Sequence, residues 1–292
     1  MIVAVASGKG GTGKTTVASS LARTWDGPVM AVDLDVEAPN LHLFLKPKID
    51  SEESVGLEVP VADPSKCNGC GACGDFCQFN AITVFGNFPA VFSEMCHGCG
   101  GCLAVCPTGA LAPGSRILGE VLWGETEDHI RLLMGRLRVG EAMSPPLIRA
   151  VRRRMATPAR THRLDSIVDA PPGTSCPAMN AVMDADLIVL VTEPTPFGRH
   201  DLALARDAFR QLGKPLAVVV NRAGLGDGAV YDDCRAADLP VLTEIPHDRR
   251  VAEAYARGEL AIDLSPTDRE RYRTLVTTIL RMVDTPEEVC GA

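Results

Sequence analysis

A glycine loop wedged between an apolar run and a helical pattern limits this chain more than any other feature. The run Ile2–Ala6 is followed at once by Gly8-Lys9-Gly10-Gly11-Thr12-Gly13-Lys14-Thr15, and the stretch Thr15–Trp25 then has helical character. The string matches G-x-x-x-x-G-K-[ST] in its proper setting, strand before and helix after. Its glycines let backbone N–H groups turn inward around phosphate oxygens at the positive end of the helix. Residues Gly8 through Thr16, with Thr16 the last of the cradle, are the expected nucleotide contacts. Lys14 would reach the β- and γ-phosphates, and the Thr15 hydroxyl would ligate Mg²⁺. A glycine-rich turn with no ligand is the plainer alternative.

The rest of the chain repeats that alternation. Short apolar runs at Val29–Val32, Ile167–Val168, Leu187–Val191, Leu216–Val220 and Val241–Ile245 are continuous rather than alternating. Continuous runs suit strands covered on both faces, as in a parallel sheet wrapped by helices. Helix-like stretches follow, among them Asp201–Leu212 and Thr267–Val283. The expected fold is α/β, a doubly wound, mainly parallel sheet. Hydrophobic residues make up 46% of the chain but aromatics only 4%, so the core should be aliphatic.

One segment breaks the rhythm. From 63 to 113 the chain is dense in Cys and Gly, and it repeats itself: Cys67, Cys70, Cys73 and Cys77 recur in spacing as Cys96, Cys99, Cys102 and Cys106. Cys-x₂-Cys-x₂-Cys-x₃-Cys is the spacing of the bacterial ferredoxin run, in which the fourth cysteine of each motif serves the other cluster. One [4Fe–4S] cluster would take Cys67, Cys70, Cys73 and Cys106, the other Cys96, Cys99, Cys102 and Cys77. Zinc is the rival, since paired C-x₂-C elements also bind it. Gln78 stands where the run usually has proline. The expected organisation is a P-loop domain over 1–62 and 114–292, with a small α+β ferredoxin-like insert at 63–113. The stretch 114–160 is the least legible, with one strand expected near Leu132–Val139.

Charge and composition remove several alternatives. A net charge of −8 argues against a nucleic-acid partner. The basic run Arg152-Arg153-Arg154 reads as a solvated helix face. No apolar run approaches the ~18–20 residues that span a bilayer, so no stable membrane insertion is expected. No secretory pattern opens the sequence, and the expected compartment is cytoplasmic, where clustered cysteines usually mean metal. Of the 11 cysteines, three lie outside the repeat. Cys234 and Cys290 read as structural thiols, while Cys176 either starts a helix or couples the nucleotide site to a partner.

The form K-G-G-T-G-K-T, with Lys9 after the first glycine, resembles the MinD/Mrp group of ATPases, which includes the nitrogenase iron protein. The resemblance covers about residues 1–46 and 165–265. It implies that ATP and ADP are the ligands and that Lys9 reaches across a nucleotide-dependent homodimer to the partner's phosphates. Asp33-Leu34-Asp35-Val36-Glu37-Ala38-Pro39-Asn40 resembles that group's switch I. This implies water activation by Asp35 and metal-side support by Asp33, against a plain turn and helix cap. Ile167-Val168-Asp169-Ala170-Pro171-Pro172-Gly173 resembles switch II, with Asp169 acting on Mg²⁺ through water. Asn221 and Pro246 match positions at the adenine. Joined to the insert, the resemblance implies ATP-gated electron transfer to a redox client. Assembly or delivery of a metal cluster is the alternative, and a MinD-like positioning protein the remote one. Only that last reading uses the apolar stripe Tyr272, Leu275, Val276, Ile279, Leu280 and Val283.

Overall fold

The computed structural model describes the backbone of residues 1–161 and 164–284. Its strands in chain order are β1 Ile2–Ala6, β2 Val29–Asp33, β3 Lys48–Ala62, β4 Ile82–Phe85, β5 Phe88–Val91, β6 Leu111–Glu125, β7 Arg131–Leu137, β8 Asp165–Asp169, β9 Leu187–Thr192, β10 Leu216–Ala223 and β11 Val241–Pro246. All but β4 and β5 join one sheet in the order β11-β10-β9-β1-β8-β2-β7-β6-β3. From β11 through β7 every neighbouring pair is parallel. The six continuous apolar runs are strands here, and β2 and β9 are buried along their whole length. Pro246 ends β11, an outermost strand, where its missing N–H costs no ladder bond.

The chain divides into two compact units, Met1–Glu52 with Val121–Arg136 and Ile148–Ala292, and Glu53–Glu120 with Leu137–Leu147. In the first, the helix Lys14–Thr24 lays Val17, Ala18, Leu21 and Ala22 into the core. The helix Pro266–Asp284 buries Tyr272, Leu275, Val276 and Ile279 in the same core. The apolar stripe is therefore a packing face, which removes the one feature that favoured a membrane-positioning role. Among the described residues no helix is long and apolar enough to cross a membrane.

In the second unit β4 and β5 form an antiparallel hairpin pairing Phe85 with Phe88. The sequence repeat is also a structural one. Each copy runs through a 3₁₀ turn, Pro64–Lys66 or Ser93–Met95, and then a short helix, Ala72–Phe76 or Gly101–Val105. Between turn and helix lie two left-handed glycines, Gly69 and Gly71 or Gly98 and Gly100. A buried ion pair, Arg116 with Glu141, ties the segment 137–147 to this unit.

Three features depart from the sequence reading. The 15-residue strands β3 and β6 fall where no strand was expected. Glycines that look like breakers mark close strand approach instead: a Cβ on Gly124 would lie 2.1 Å from the Lys48 carbonyl oxygen, and one on Gly114 would lie 2.4 Å from Val61. A helix, Ser144–Thr161, also occupies the illegible stretch. Its basic run is only in part solvated. Arg153 is exposed, but Arg152 donates to Asp184 at 3.0 Å and Arg154 lies over the Trp123 ring. Cys290 lies outside the described residues.

Ile279→Ala is expected to lower the unfolding free energy by about 2–5 kcal/mol, the usual cost of emptying a fully buried site. A urea titration measures it, and a cost under about 1 kcal/mol would place the stripe outside the core.

Candidate functional site

Parallel register builds the nucleotide site. β8 lies between β1 and β2, pairing Val5 with Asp169 and Asp169 with Asp33. Both carboxylates thus stand at the carboxyl ends of neighbouring strands, beside the loop leaving β1. Crevices at such strand ends are where open α/β sheets hold ligands. Backbone bonds lock the connections: Leu34 N–H donates to the Asp169 carbonyl at 2.9 Å, and Gly173 N–H to the Ser7 carbonyl at 2.9 Å.

The glycine loop passes through left-handed conformations at Gly11 and Gly13, and Gly13 caps the following helix. Gly10, Gly11, Gly13, Lys14, Thr15 and Thr16 line a cleft together with Asp35, Asn40, Pro172, Asn221, Arg222, Pro246 and Tyr255. The cleft thereby unites the loop with both switch-like segments and with Asn221 and Pro246. Asn221 donates through Nδ2 to the Thr12 carbonyl at 2.7 Å, so its amide braces the loop as well as facing the cleft. Gly8 is pressed against the helix Pro196–Arg210, where a Cβ would lie 2.0 Å from the Asp201 carbonyl oxygen.

The acidic residues differ in their surroundings. Thr15 Oγ1 donates to Asp169 Oδ2 at 2.6 Å, and Asp169 Oδ1 is buried without a partner. Burial, with the charge of Asp35, pushes the Asp169 carboxyl up to about 7 against the Thr15 hydroxyl and Lys14. Such a starved oxygen beside a P-loop hydroxyl suits a divalent cation or a water bound to one. Asp35 is half-buried at the cleft; burial raises its carboxyl, Lys14 lowers it and Glu37 raises it again. Asp33 is fully buried, and both its oxygens are occupied: they accept from Asp35 N–H at 3.1 Å, Asn40 N–H at 2.8 Å and Leu41 N–H at 3.0 Å. Asp33 therefore ties down the loop that presents Asp35. Burial and the neighbouring Asp169 hold its carboxyl well above the usual range.

Lys9 pairs with Glu193, which also accepts from Arg222 at 2.8 Å. Glu193, Arg222 and Tyr255 were not foreseen, because a lone residue of each type at the end of a strand or within a helix carries no pattern.

In the second unit the cysteines gather in two groups. One cavity is lined by Cys67, Cys70, Cys73 and Cys106, and another by Cys77, Cys96, Cys99 and Cys102. Backbone N–H groups of Gly69, Ala81 and Gly98 point at Cys67, Cys77 and Cys96 sulfurs at 3.3–3.4 Å. The Phe79 and His97 rings stack 3.6 Å apart beside the second group. Among the described residues, no three His, Cys, Asp or Glu side chains stand close enough to hold a single metal ion. Cys176 is exposed, and burial pushes the Cys234 thiol up to about 11.

Residues 3–262 match the CobQ/CobB/MinD/ParA nucleotide binding domain family. Two uncharacterized proteins of Methanocaldococcus jannaschii are similar along most of their length. One is 32% identical over 234 residues, 78% of this chain and 80% of that protein. The other is 28% identical over 267 residues, 89% and 90%. The fold is similar to the cell division ATPase MinD of Pyrococcus furiosus, with 20% identity, 96% and 98% coverage and a TM-score of 0.55. It is also similar to septum site-determining protein MinD of Pyrococcus horikoshii, solved with Mg-ADP, with 19% identity, 99% and 97% coverage and a TM-score of 0.54. The chain belongs to the CobQ/CobB/MinD/ParA family and is a P-loop ATPase.

Two neighbouring glycines should respond oppositely to one methyl group. Gly8→Ala, driven into the Asp201 backbone, is expected to cost about 1–3 kcal/mol or more in thermal or urea unfolding without nucleotide. Gly10→Ala, which meets nothing within 4 Å, should stay within about 0.5 kcal/mol of the parent.

Proposed function

We propose that this family member carries a ferredoxin-like insert at residues 63–113 holding two [4Fe–4S] clusters, and that its nucleotide state governs electron transfer from them to a partner protein. The observation that carries the reading is the crossed grouping of the cysteines. Three from each motif share a cavity with the fourth of the other, the pattern of a two-cluster ferredoxin run. A four-iron cube takes its thiolates at four corners, wider apart than the ligands of one ion. The left-handed glycines between ligands turn the backbone N–H groups toward sulfur, which stabilises the added negative charge of a thiolate cluster. Bound clusters supply one-electron carriers; the chain supplies their cradle and its surface. That surface is unusually aromatic. Phe76, Phe79, Phe85, Phe88 and Phe92, five of the chain's 8 phenylalanines, are all exposed, which suits a docking partner.

In the ATPase half, Lys14 and the loop N–H groups would hold the phosphates, Thr15 and Asp169 would hold Mg²⁺ and its water, and Asp35 would orient the attacking water. Asp33 positions the Asp35 loop. Pro246, Tyr255 and Asn221 bound the base end of the cleft, with Asn221 also bracing the loop. Lys9 serves the phosphates of a second copy, so the active form is a nucleotide-dependent dimer. Cluster delivery is the weaker alternative, because Cys176 and Cys234 lie apart from the eight and make no second C-x-x-C.

Anaerobic reconstitution with iron and sulfide is expected to load about eight irons per chain, with the signals of two reducible clusters. Cys99→Ser should lose about half of that iron and leave the other cluster reducible. Zinc alone, or no iron, would overturn the insert's assignment. A redox titration with and without Mg-ATP then tests coupling: a shift of about 60 mV for a one-electron couple corresponds to about 1.4 kcal/mol. No shift would move the role of ATP to docking or delivery.

A further inference from the structure

One buried carboxylate in the ATPase unit serves two cations that both belong to the nucleotide site. Glu193 follows β9 directly, and its side chain is only 9% exposed. It accepts from Lys9 Nζ and, on its other oxygen, from Arg222 Nη1 at 2.8 Å. Arg222 in turn donates through Nη2 to the Gly11 carbonyl of the glycine loop at 3.0 Å. Arg222 has a left-handed φ of 55°, and the pairing of β10 with β11 shifts between Asn221 and Ala223. An arginine held in that conformation at the end of a sheet strand marks a site where local strain is retained for position.

Which partner can move is settled by packing. Gly198, in the first turn of the helix after Glu193, lies so close that a Cβ there would sit 2.2 Å from the Glu193 carbonyl oxygen and 2.8 Å from its Cγ. Glu193 is pinned. The Lys9 side chain is 29% exposed and hangs from a loop that needs its glycines. Burial alone would raise the Glu193 carboxyl, but the hydrogen bond and charge of Lys9, with those of Arg222, hold it below its ordinary value.

We infer that Glu193 parks Lys9 in the nucleotide-free chain, and that Arg222 keeps Glu193 paired when Lys9 leaves for a phosphate. Removing one partner from a buried ion pair is costly because it strands the other charge without water. Arg222 removes that obstacle, since Glu193 retains a bidentate-capable cation after Lys9 departs. Glu193 is thus a positioning residue that sets how readily Lys9 is released, and Arg222 lowers the barrier to release. This inference rests on the proposed role of Lys9 at the phosphates.

The test measures ATP-dependent dimerisation by sedimentation and ATP turnover per chain, with melting temperature as a control for folding. Glu193→Gln should free Lys9, strengthening dimerisation about three- to tenfold with little change in melting temperature. Arg222→Met should leave Lys9 locked on Glu193, weakening dimerisation and turnover about tenfold. The double variant should return to within about threefold of Glu193→Gln alone, because the lock itself is gone. A double variant as weak as Arg222→Met would mean that Arg222 contacts nucleotide itself, and would overturn the inference. So would a Glu193→Gln chain that dimerises no better than the parent while Lys9→Ala abolishes dimerisation. A harmless Lys9→Ala would instead overturn the role of Lys9 on which the inference stands.

Discussion

Asp33 and Asp169 occupy paired positions on adjacent parallel strands, both without access to water, beside the loop that leaves β1. Two carboxyls so placed repel each other unless something cationic or hydrogen-bonding comes between them or neutralises one. The site resolves that conflict asymmetrically. Asp33 is satisfied by three backbone N–H groups, whereas Asp169 keeps one oxygen with no partner. The first becomes the anchor of a loop and the second a place for positive charge. The same sheet register thus yields a mechanical residue and a chemical one from identical side chains.

Around that pair the loop, the switch-like segments and the base end of the cleft are held by contacts of different strength. Gly8 and Gly13 are fixed by close approach, Gly8 to the Asp201 backbone and Gly13 to the Asn221 amide. Lys9 is held only through an ion pair with a partner that also has Arg222. A rigid cradle with one releasable cation is what a switch between nucleotide states requires, because differential contacts in the two states are what shift an equilibrium. Rigidity comes from sheet and helix packing, while the Lys9 side chain is held by a carboxylate it shares with Arg222.

The cysteine-rich unit uses another economy. Its two copies are each too small to bury a core, and the buried residues include cysteines of the repeat: Cys73, Cys96 and Cys102 lie among Val59, Ala81, Ile82 and Leu111. Under the proposed cluster assignment such a unit would depend on what its sulfurs bind, as small metal domains generally do. Aromatics that a larger domain would bury stay exposed.

Several features were legible because their chemistry is local. The glycine loop, the continuous apolar strands and the duplicated cysteine spacing each sit within a few residues, so spacing alone carries them. The apolar stripe of the last helix was legible too, but not its use, since a helix face looks the same against a core or a bilayer. The strand β3 was hidden because it is largely exposed and charged, and β6 because Pro113 and its glycines interrupt the apolar pattern. Glu193 and Arg222 were hidden for a different reason. They lie 184 and 211 residues from their loop partners Lys9 and Gly11, and a single Glu or Arg becomes informative only when the fold brings it to another charge. The sequence by itself determined the strand–loop–helix unit and the duplicated spacing of the cysteines, because covalent neighbours set those geometries. Only the tertiary structure decided which carboxylate keeps an unpartnered oxygen and which lysine of the loop pairs with Glu193, because burial and long-range packing fix the environment of a charge.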